Sequence, residues 1–290
     1  MPTLSAITLY PIKSCAGLSL EEATLTPLGL MTAQIYDREW MVVDENGLAL
    51  TQREHPRMVL IQPDIRAAAL VLRAPGQPAL QLDPTSPWHS CNVRVWKDSV
   101  PAWDMGDAAA RWFSAFLGQP GLRLVRFDAA HRRLSSLDWT HGVEAPNTFS
   151  DGYPLLLTTC SALDLLNQHL QAQGHGAVTL ARMRANVVVR GLPAHDEDHW
   201  TQLRCAATEP SGKAVHLQPV KPCARCPIPN IDPETAQSTP HVSDALQSYR
   251  QDPRLNGALT FGMNAIVRQG IGQTLRVGQS VFVDYGLDPV

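Results

Sequence analysis

Through the first hundred positions, apolar and polar residues alternate in short runs, the period-two pattern of half-buried strands. The pattern predicts strands over residues 6–12, 22–26, 38–43, 48–51, 58–62, 68–73, 80–83 and 93–97, with Gly and Pro punctuation between them. Asn46-Gly47 separates two of these runs and is a hairpin signal, because both residues tolerate positive φ. The period then changes. Asp107 is the expected N-cap of a helix whose buried face is Trp112, Phe113, Phe116 and Leu117, and Gly118 is its stop. After a strand at 122–125, residues 128–150 are polar and irregular, with Arg132, Arg133 and His141, and read as a long loop at a domain junction.

The second half begins with a short apolar strand at 155–157. Thr159 then caps a helix with Leu163, Leu166 and Leu170 as its stripe and Gly174 beyond its end. A strand at 187–189, a proline-rich loop from Lys221 to Pro233, a helix at 242–249 and closing strands at 261–268 and 274–284 complete the pattern. The expected fold is mostly β with some α (α+β), in two β-rich lobes spanning 1–125 and 126–290.

Composition narrows the class. A chain of 290 residues with 44% hydrophobic and 18% charged residues is ordinary for a globular protein with a sizeable core. A net charge of -3 provides no broad basic field, so no nucleic-acid partner is expected. No apolar run approaches the ~20 residues of a membrane span, and Met1 to Ser5 runs directly into strand-like sequence, so neither membrane nor leader is expected. Six cysteines are too sparse for a disulfide scaffold, which points to reduced thiols and a cytoplasmic setting; a monomer is expected.

The chemistry gathers in Lys221-Pro222-Cys223-Ala224-Arg225-Cys226-Pro227-Ile228-Pro229. Its prolines stiffen a loop, thiolates are soft metal ligands, and a guanidinium beside them favours their ionised form. Metal binding, redox exchange and nucleophilic attack all remain open on spacing alone. One Cys-x-x-Cys is half of a structural zinc site, and His195 and His199 sit in what reads as a surface turn. Pro227 and Pro229 oppose the helix that a thioredoxin-like dithiol needs. Lys13, Ser14, Arg38, Arg184 and Arg225 fall at predicted strand ends or in loops, where side chains collect at one rim of a β-fold. Guanidinium forks match phosphate, so this set implies an anionic cofactor held near sulfur. Asp151 precedes the turn Gly152-Tyr153-Pro154. No glycine-rich dinucleotide fingerprint, Walker loop or Gly-x-Ser-x-Gly elbow is present.

Several motifs together resemble one family. Leu9-Tyr10-Pro11-Ile12-Lys13-Ser14-Cys15, Asp37-Arg38-Glu39-Trp40 and Thr51-Gln52-Arg53-Glu54-His55-Pro56 resemble the N-terminal β-barrel of MOSC proteins. Asp151-Gly152-Tyr153-Pro154, Arg184-Ala185-Asn186, Cys223-Ala224-Arg225-Cys226, Phe261-Gly262-Met263-Asn264 and Leu275-Arg276-Val277-Gly278-Gln279 resemble the MOSC domain itself. The resemblance implies two β-barrel domains and a molybdenum cofactor (Mo-molybdopterin) ligated by Cys226. It also implies that Lys13, Ser14, Arg38, Gly152, Tyr153, Arg184, Asn186, Ala224, Arg225 and Asn264 contact the cofactor and that Asp151 is catalytic. The implied activity is reduction of N-hydroxylated compounds with electrons from a separate ferredoxin-like or flavin donor. No cysteine follows Cys226, so the fused ferredoxin domain of some bacterial relatives is not expected. A cofactor-handling sulfur carrier is the alternative within the family, and a non-catalytic module with a structural cysteine pair the alternative outside it.

Overall fold

The computed structural model describes residues 1–66, 69–82, 88–208 and 212–286. Its central sheet runs in the order Leu18–Leu20, Thr3–Leu9, Val187–Arg190, Leu155–Thr159, Ala258–Gln269, Val215–Ala224, Trp200–Cys205 and Val281–Tyr285. The neighbours along it are antiparallel except Leu155–Thr159 with Val187–Arg190. That parallel pair needs a crossover, and helix α2 (Cys160–Ala172) makes it. A single bridge from Thr3 to Ser280, with the Val281 N–H donating to Pro2 O at 3.0 Å, brings the last strand of this path beside Thr3–Leu9, the second.

Strand pairing crosses the expected boundary at 125 twice. Thr3–Leu9 lies in the sheet of the second half, and Thr274–Arg276 pairs with Glu22–Thr26 of the first. Three smaller sheets complete the first half; one orders His89–Val95, Asp98–Asp104, Arg123–Phe127 and Trp40–Val43. One buried apolar cluster, from Leu4 and Trp40 through Phe113 to Leu155, Val187 and Leu217, runs through both halves. The fold is mostly β with some α, as the alternation predicts. No helix among the described residues is long and apolar enough to cross a membrane.

The departures from the sequence reading have local causes. Residues 58–62 were expected to be a strand. Instead Pro56–Leu60 is a 3-10 turn, because Pro56 presets the first φ, and the strand is Gln62–Arg66. The expected strand at 48–51 is reduced to two isolated bridges, Ala49 to Val43 and Leu48 to Arg94, although the Gly47 turn forms with φ 73°. Ala68 and Asp83, expected strand ends, lie outside the described residues. Helix α1 (Asp107–Leu117) is preceded by Gly106, and Asp107 accepts from Arg123 Nη1 at 2.7 Å rather than capping. Thr159 does cap α2, its hydroxyl accepting the Ala162 N–H at 3.3 Å. The stripe of α2 is Ala162, Leu166 and Leu170, with Leu163 only half-buried. Helix α3 (His241–Gln247) is shorter than expected.

The proline-rich loop starts later than its prolines imply. Pro219 and Pro222 lie within Val215–Ala224, beside register shifts, and the ladder with Trp200–Cys205 stops at Leu217. Beyond Leu217 the strand is paired on one side, where a missing N–H costs little.

Gly262 sits in Ala258–Gln269 at φ 75°, and a Cβ there would lie 2.6 Å from Leu157 O. Gly262→Ala is expected to destabilise the protein by about 2–3 kcal/mol, read as a lowered urea midpoint; an unchanged midpoint would show that the sheet tolerates the side chain.

Candidate functional site

The turn after Thr3–Leu9, the turn before Trp40–Val43, the segments entering Leu155–Thr159 and Val187–Arg190, and the exit of Val215–Ala224 all reach one cleft. It holds about 840 Å³ of space, its open mouth included, within the size range of ligand pockets. Every site residue named from the sequence lines it: Lys13, Ser14, Arg38, Asp151, Gly152, Tyr153, Arg184, Asn186, Ala224, Arg225, Cys226 and Asn264. Thr51, Arg53, Trp96, Met183 and Cys223 line it too.

Backbone strain concentrates here. Ser14, Arg38, Trp96 and Arg184 are non-glycine residues at φ 68°, 49°, 55° and 56°. Such residues persist only where their surroundings over-determine them, and they cluster at functional sites. The surroundings here are specific. The buried Asp37 carboxylate accepts the Tyr10 N–H at 2.8 Å and Asn186 Nδ2 at 2.9 Å, and pairs with the Arg38 guanidinium. Arg38 and Arg184 each lie 4.4 Å from the centre of the Tyr10 ring.

Asn186 has no group to spare. Its Nδ2 donates to Thr8 O and Asp37, and its Oδ1 accepts from the Leu156 N–H and Arg38. It positions the cleft walls. Asn264 Nδ2 likewise reaches Lys221 O at 3.3 Å. Gly152 faces open space, so its missing side chain leaves room at the cleft.

Lys13, Arg38, Arg53, Arg184 and Arg225 line the cleft against one carboxylate among the described residues, that of Asp151. Arg53 Nε, Arg184 Nη2, Arg225 Nε and the Tyr153 hydroxyl are buried there without a hydrogen-bond partner among the described residues. Each unmet donor costs about 1–3 kcal/mol, a cost that an anionic ligand would offset. Burial, and then the charge of Arg38, push the Arg184 pKa down.

Lys13 donates to Phe149 O at 2.9 Å and to Asp151 Oδ1 at 2.5 Å. The lysine side chain is 7% exposed and the aspartate 66%. Burial lowers the Lys13 pKa, and Asp151 partly restores it. Crowding works to raise the Asp151 carboxyl, but the charge and hydrogen bond of Lys13, then Arg38 and Arg53, hold it well below the carboxylate range. Asp151 is therefore a carboxylate at neutral pH, and the proton of the pair sits on Lys13 Nζ.

The two loop cysteines, equivalent by spacing, differ in the fold. Arg225 Nη1 donates to Cys223 Sγ at 3.1 Å and Nη2 to Met183 O at 3.0 Å. Cys223 also packs on Leu156, Ala185 and Val188. Cys226 is half-buried and in no disulfide. Its loop is pinned behind the cleft by Arg182, bonded to Pro229 O and Asp232, and by Asn230, paired with Ser243 of α3.

Sequence reasoning missed Trp96, Arg53 and the role of Arg133. A strand through residue 97 would have put Trp96 in a ladder; the strand ends at Val95. Arg53 lies in the Thr51-Gln52-Arg53-Glu54-His55-Pro56 motif, where nothing local marks it as a cleft residue. Arg133 is buried and donates to Asp98, Asn147, Thr148 O and Ser150 O, fixing the segment that presents Asp151.

Comparisons with known proteins agree with this architecture. Residues 1–120 match the MOSC N-terminal beta barrel domain and residues 144–282 the MOSC domain. Mitochondrial amidoxime reducing component 2 of Bos taurus is 33% identical over 97% of this chain and 82% of its own length. Mitochondrial amidoxime-reducing component 1 of Homo sapiens is 31% identical with the same coverage. Molybdenum cofactor sulfurase of Homo sapiens is 31% identical over 88% of this chain, a stretch that is 29% of the sulfurase. The chain belongs to the MOSC family, with both the N-terminal barrel domain and the MOSC domain. Its relatives link it to functions related to the molybdenum cofactor.

Asp151→Asn removes the charge that raises the Lys13 pKa, so Lys13 should titrate at lower pH than in the wild type. A Lys13 ¹³Cε chemical-shift titration reads this directly, and an unmoved midpoint would separate the two groups.

Proposed function

We propose that this protein is a molybdenum-cofactor-dependent reductase of N-hydroxylated compounds such as amidoximes and hydroxylamines, supplied with electrons by a separate protein. The observation that carries the proposal is the cleft itself, where unmet guanidinium donors converge beside a thiol on a stiffened loop. That donor set suits a ligand with a phosphate at one end and a sulfur-bound metal at the other. Cys226 would ligate the metal, and Arg53, Arg184, Arg225 and Ser14 would hold the phosphate and pterin. The cofactor, when bound, supplies the two-electron chemistry.

The protein's own part is orientation and protons. Replacing N–OH by N–H consumes two electrons and two protons and releases water. Lys13 Nζ, held between Phe149 O and Asp151, is placed to give a proton to the departing oxygen. Asp151 keeps the ammonium charged and aimed, a positioning role rather than that of the acid. The depressed Lys13 pKa sets the pH dependence. Turnover should fall as pH rises through a value below the ordinary lysine pKa of about 10.4. Asp151, already ionised, should add no acidic limb in the usual carboxylate range.

The sequence has no dinucleotide fingerprint, so the donor is taken to be a separate ferredoxin-like or flavin protein. The similarity to the sulfurase favours one second reading, a cofactor-handling or sulfur-carrying protein. Protein purified from cofactor-competent cells should contain molybdenum and reduce benzamidoxime with a reduced viologen, while NADH alone gives negligible turnover. Molybdenum without reduction would favour the second reading. Absence of molybdenum would overturn both.

A further inference from the structure

A second cavity adjoins the cleft and shares Lys13, Thr51 and Trp96 with it. Its other walls are Leu48, Ala49 and Arg94. Trp96 stands between the two spaces, 44% exposed and at φ 55°. Its indole Nε1 donates to Asp151 Oδ1 at 3.2 Å, and the Arg53 guanidinium lies 4.5 Å from its ring centre. Arg53 lines the main cleft and not the annex, whereas Trp96 lines both.

The annex is rigid on its other side. The hairpin carrying Leu48 and Ala49 is clasped to the strand of Arg94, with the Arg94 N–H donating to Gly47 O at 2.8 Å and the Ala49 N–H to Arg94 O at 3.0 Å. Leu48 presents apolar surface, 38% exposed. Arg94 has no carboxylate partner among the described residues, which leaves a cation at the rim. The annex thus pairs an indole with an aliphatic wall and a guanidinium. It opens beside Lys13, the residue placed to deliver the proton.

We propose that this annex binds the organic body of the substrate, and that Trp96 selects flat aromatic N-hydroxylated compounds, with Arg94 favouring an anionic or acceptor group on the ring. The proposal rests on the reductase reading of the same site. A ring laid between Trp96 and Leu48 places its N–OH toward Lys13 and Asp151, on the cleft side. Aliphatic hydroxylamines gain nothing from the annex. Ring–ring contacts contribute beyond area burial, and a charged acceptor gains a guanidinium bond.

Binding and turnover give separable tests. Calorimetric titration of the purified protein with benzamidoxime, with no reductant present, should show affinity reduced about tenfold in Trp96→Ala and largely kept in Trp96→Phe. The Phe variant lacks the indole N–H but keeps an aromatic face, so it separates stacking from the Asp151 contact. In reduction assays, the ratio of kcat/KM for benzamidoxime to that for hydroxylamine should fall about tenfold in Trp96→Ala and recover in Trp96→Phe. The advantage of 4-carboxybenzamidoxime over benzamidoxime should disappear in Arg94→Ala. Binding and ratio that do not respond to Trp96→Ala, in protein that reduces both substrates, would overturn the annex and leave the reductase reading standing. Trp96-dependent binding in protein that reduces neither substrate would support the annex and count against the reductase reading.

Discussion

Asp37 is the constraint on which the cleft depends. One buried carboxylate ties the Tyr10 amide, the Asn186 side chain and the Arg38 guanidinium together. It thereby joins the first strand of the chain to the strand at Val187–Arg190 and fixes a turn in which Arg38 has positive φ. Guanidinium groups resist burial unless their charge is met. Asp37 meets one, and the Tyr10 ring offers a face to Arg38 and Arg184. Arg184 is left with a carbonyl bond at one nitrogen and an unmet donor at the other. The knot therefore holds charge that the protein alone does not neutralise.

The remaining walls are fixed by the same device, an arginine spanning two segments. Arg133 gathers the carbonyls of Thr148 and Ser150 behind Asp151. Arg182 ties the entry to Val187–Arg190 to the loop after Cys226. Arg225 binds Cys223 to Met183 O. Because strands from both halves of the chain enter one sheet, these clasps act on a single frame. The cysteine loop, the proton pair and the cationic wall are set in fixed relation before any ligand enters, which limits the ordering cost of binding.

Much of this was legible in the sequence. Alternation identified several strands of the first half, but not Asp98–Asp104, Trp200–Cys205 or Val215–Ala224. Lys13, Arg38, Asp151, Arg184 and Cys226, spread over more than two hundred positions, stood out by residue type and motif before the fold brought them to one cleft. What escaped was what tertiary pairing decides. Pro222 read as loop because nothing local reveals a strand paired on one side. Trp96 read as a ladder residue because its αL turn depends on the hairpin after Val95. Asp37 read as one letter of a motif, since two of its partners, Tyr10 and Asn186, lie far from it in the chain. The protonation of Asp151 depended on Lys13, far upstream, which no spacing rule connects to it.

The central claim is that Cys226, and not Cys223, places sulfur on a molybdenum cofactor in this cleft. Molybdenum K-edge absorption on protein from cofactor-competent cells, compared among wild type, Cys226→Ser and Cys223→Ser, tests it directly. The account predicts one fewer sulfur neighbour at the metal in Cys226→Ser and an unchanged sulfur count in Cys223→Ser. Loss of the sulfur neighbour in Cys223→Ser, with Cys226→Ser unchanged, would contradict it.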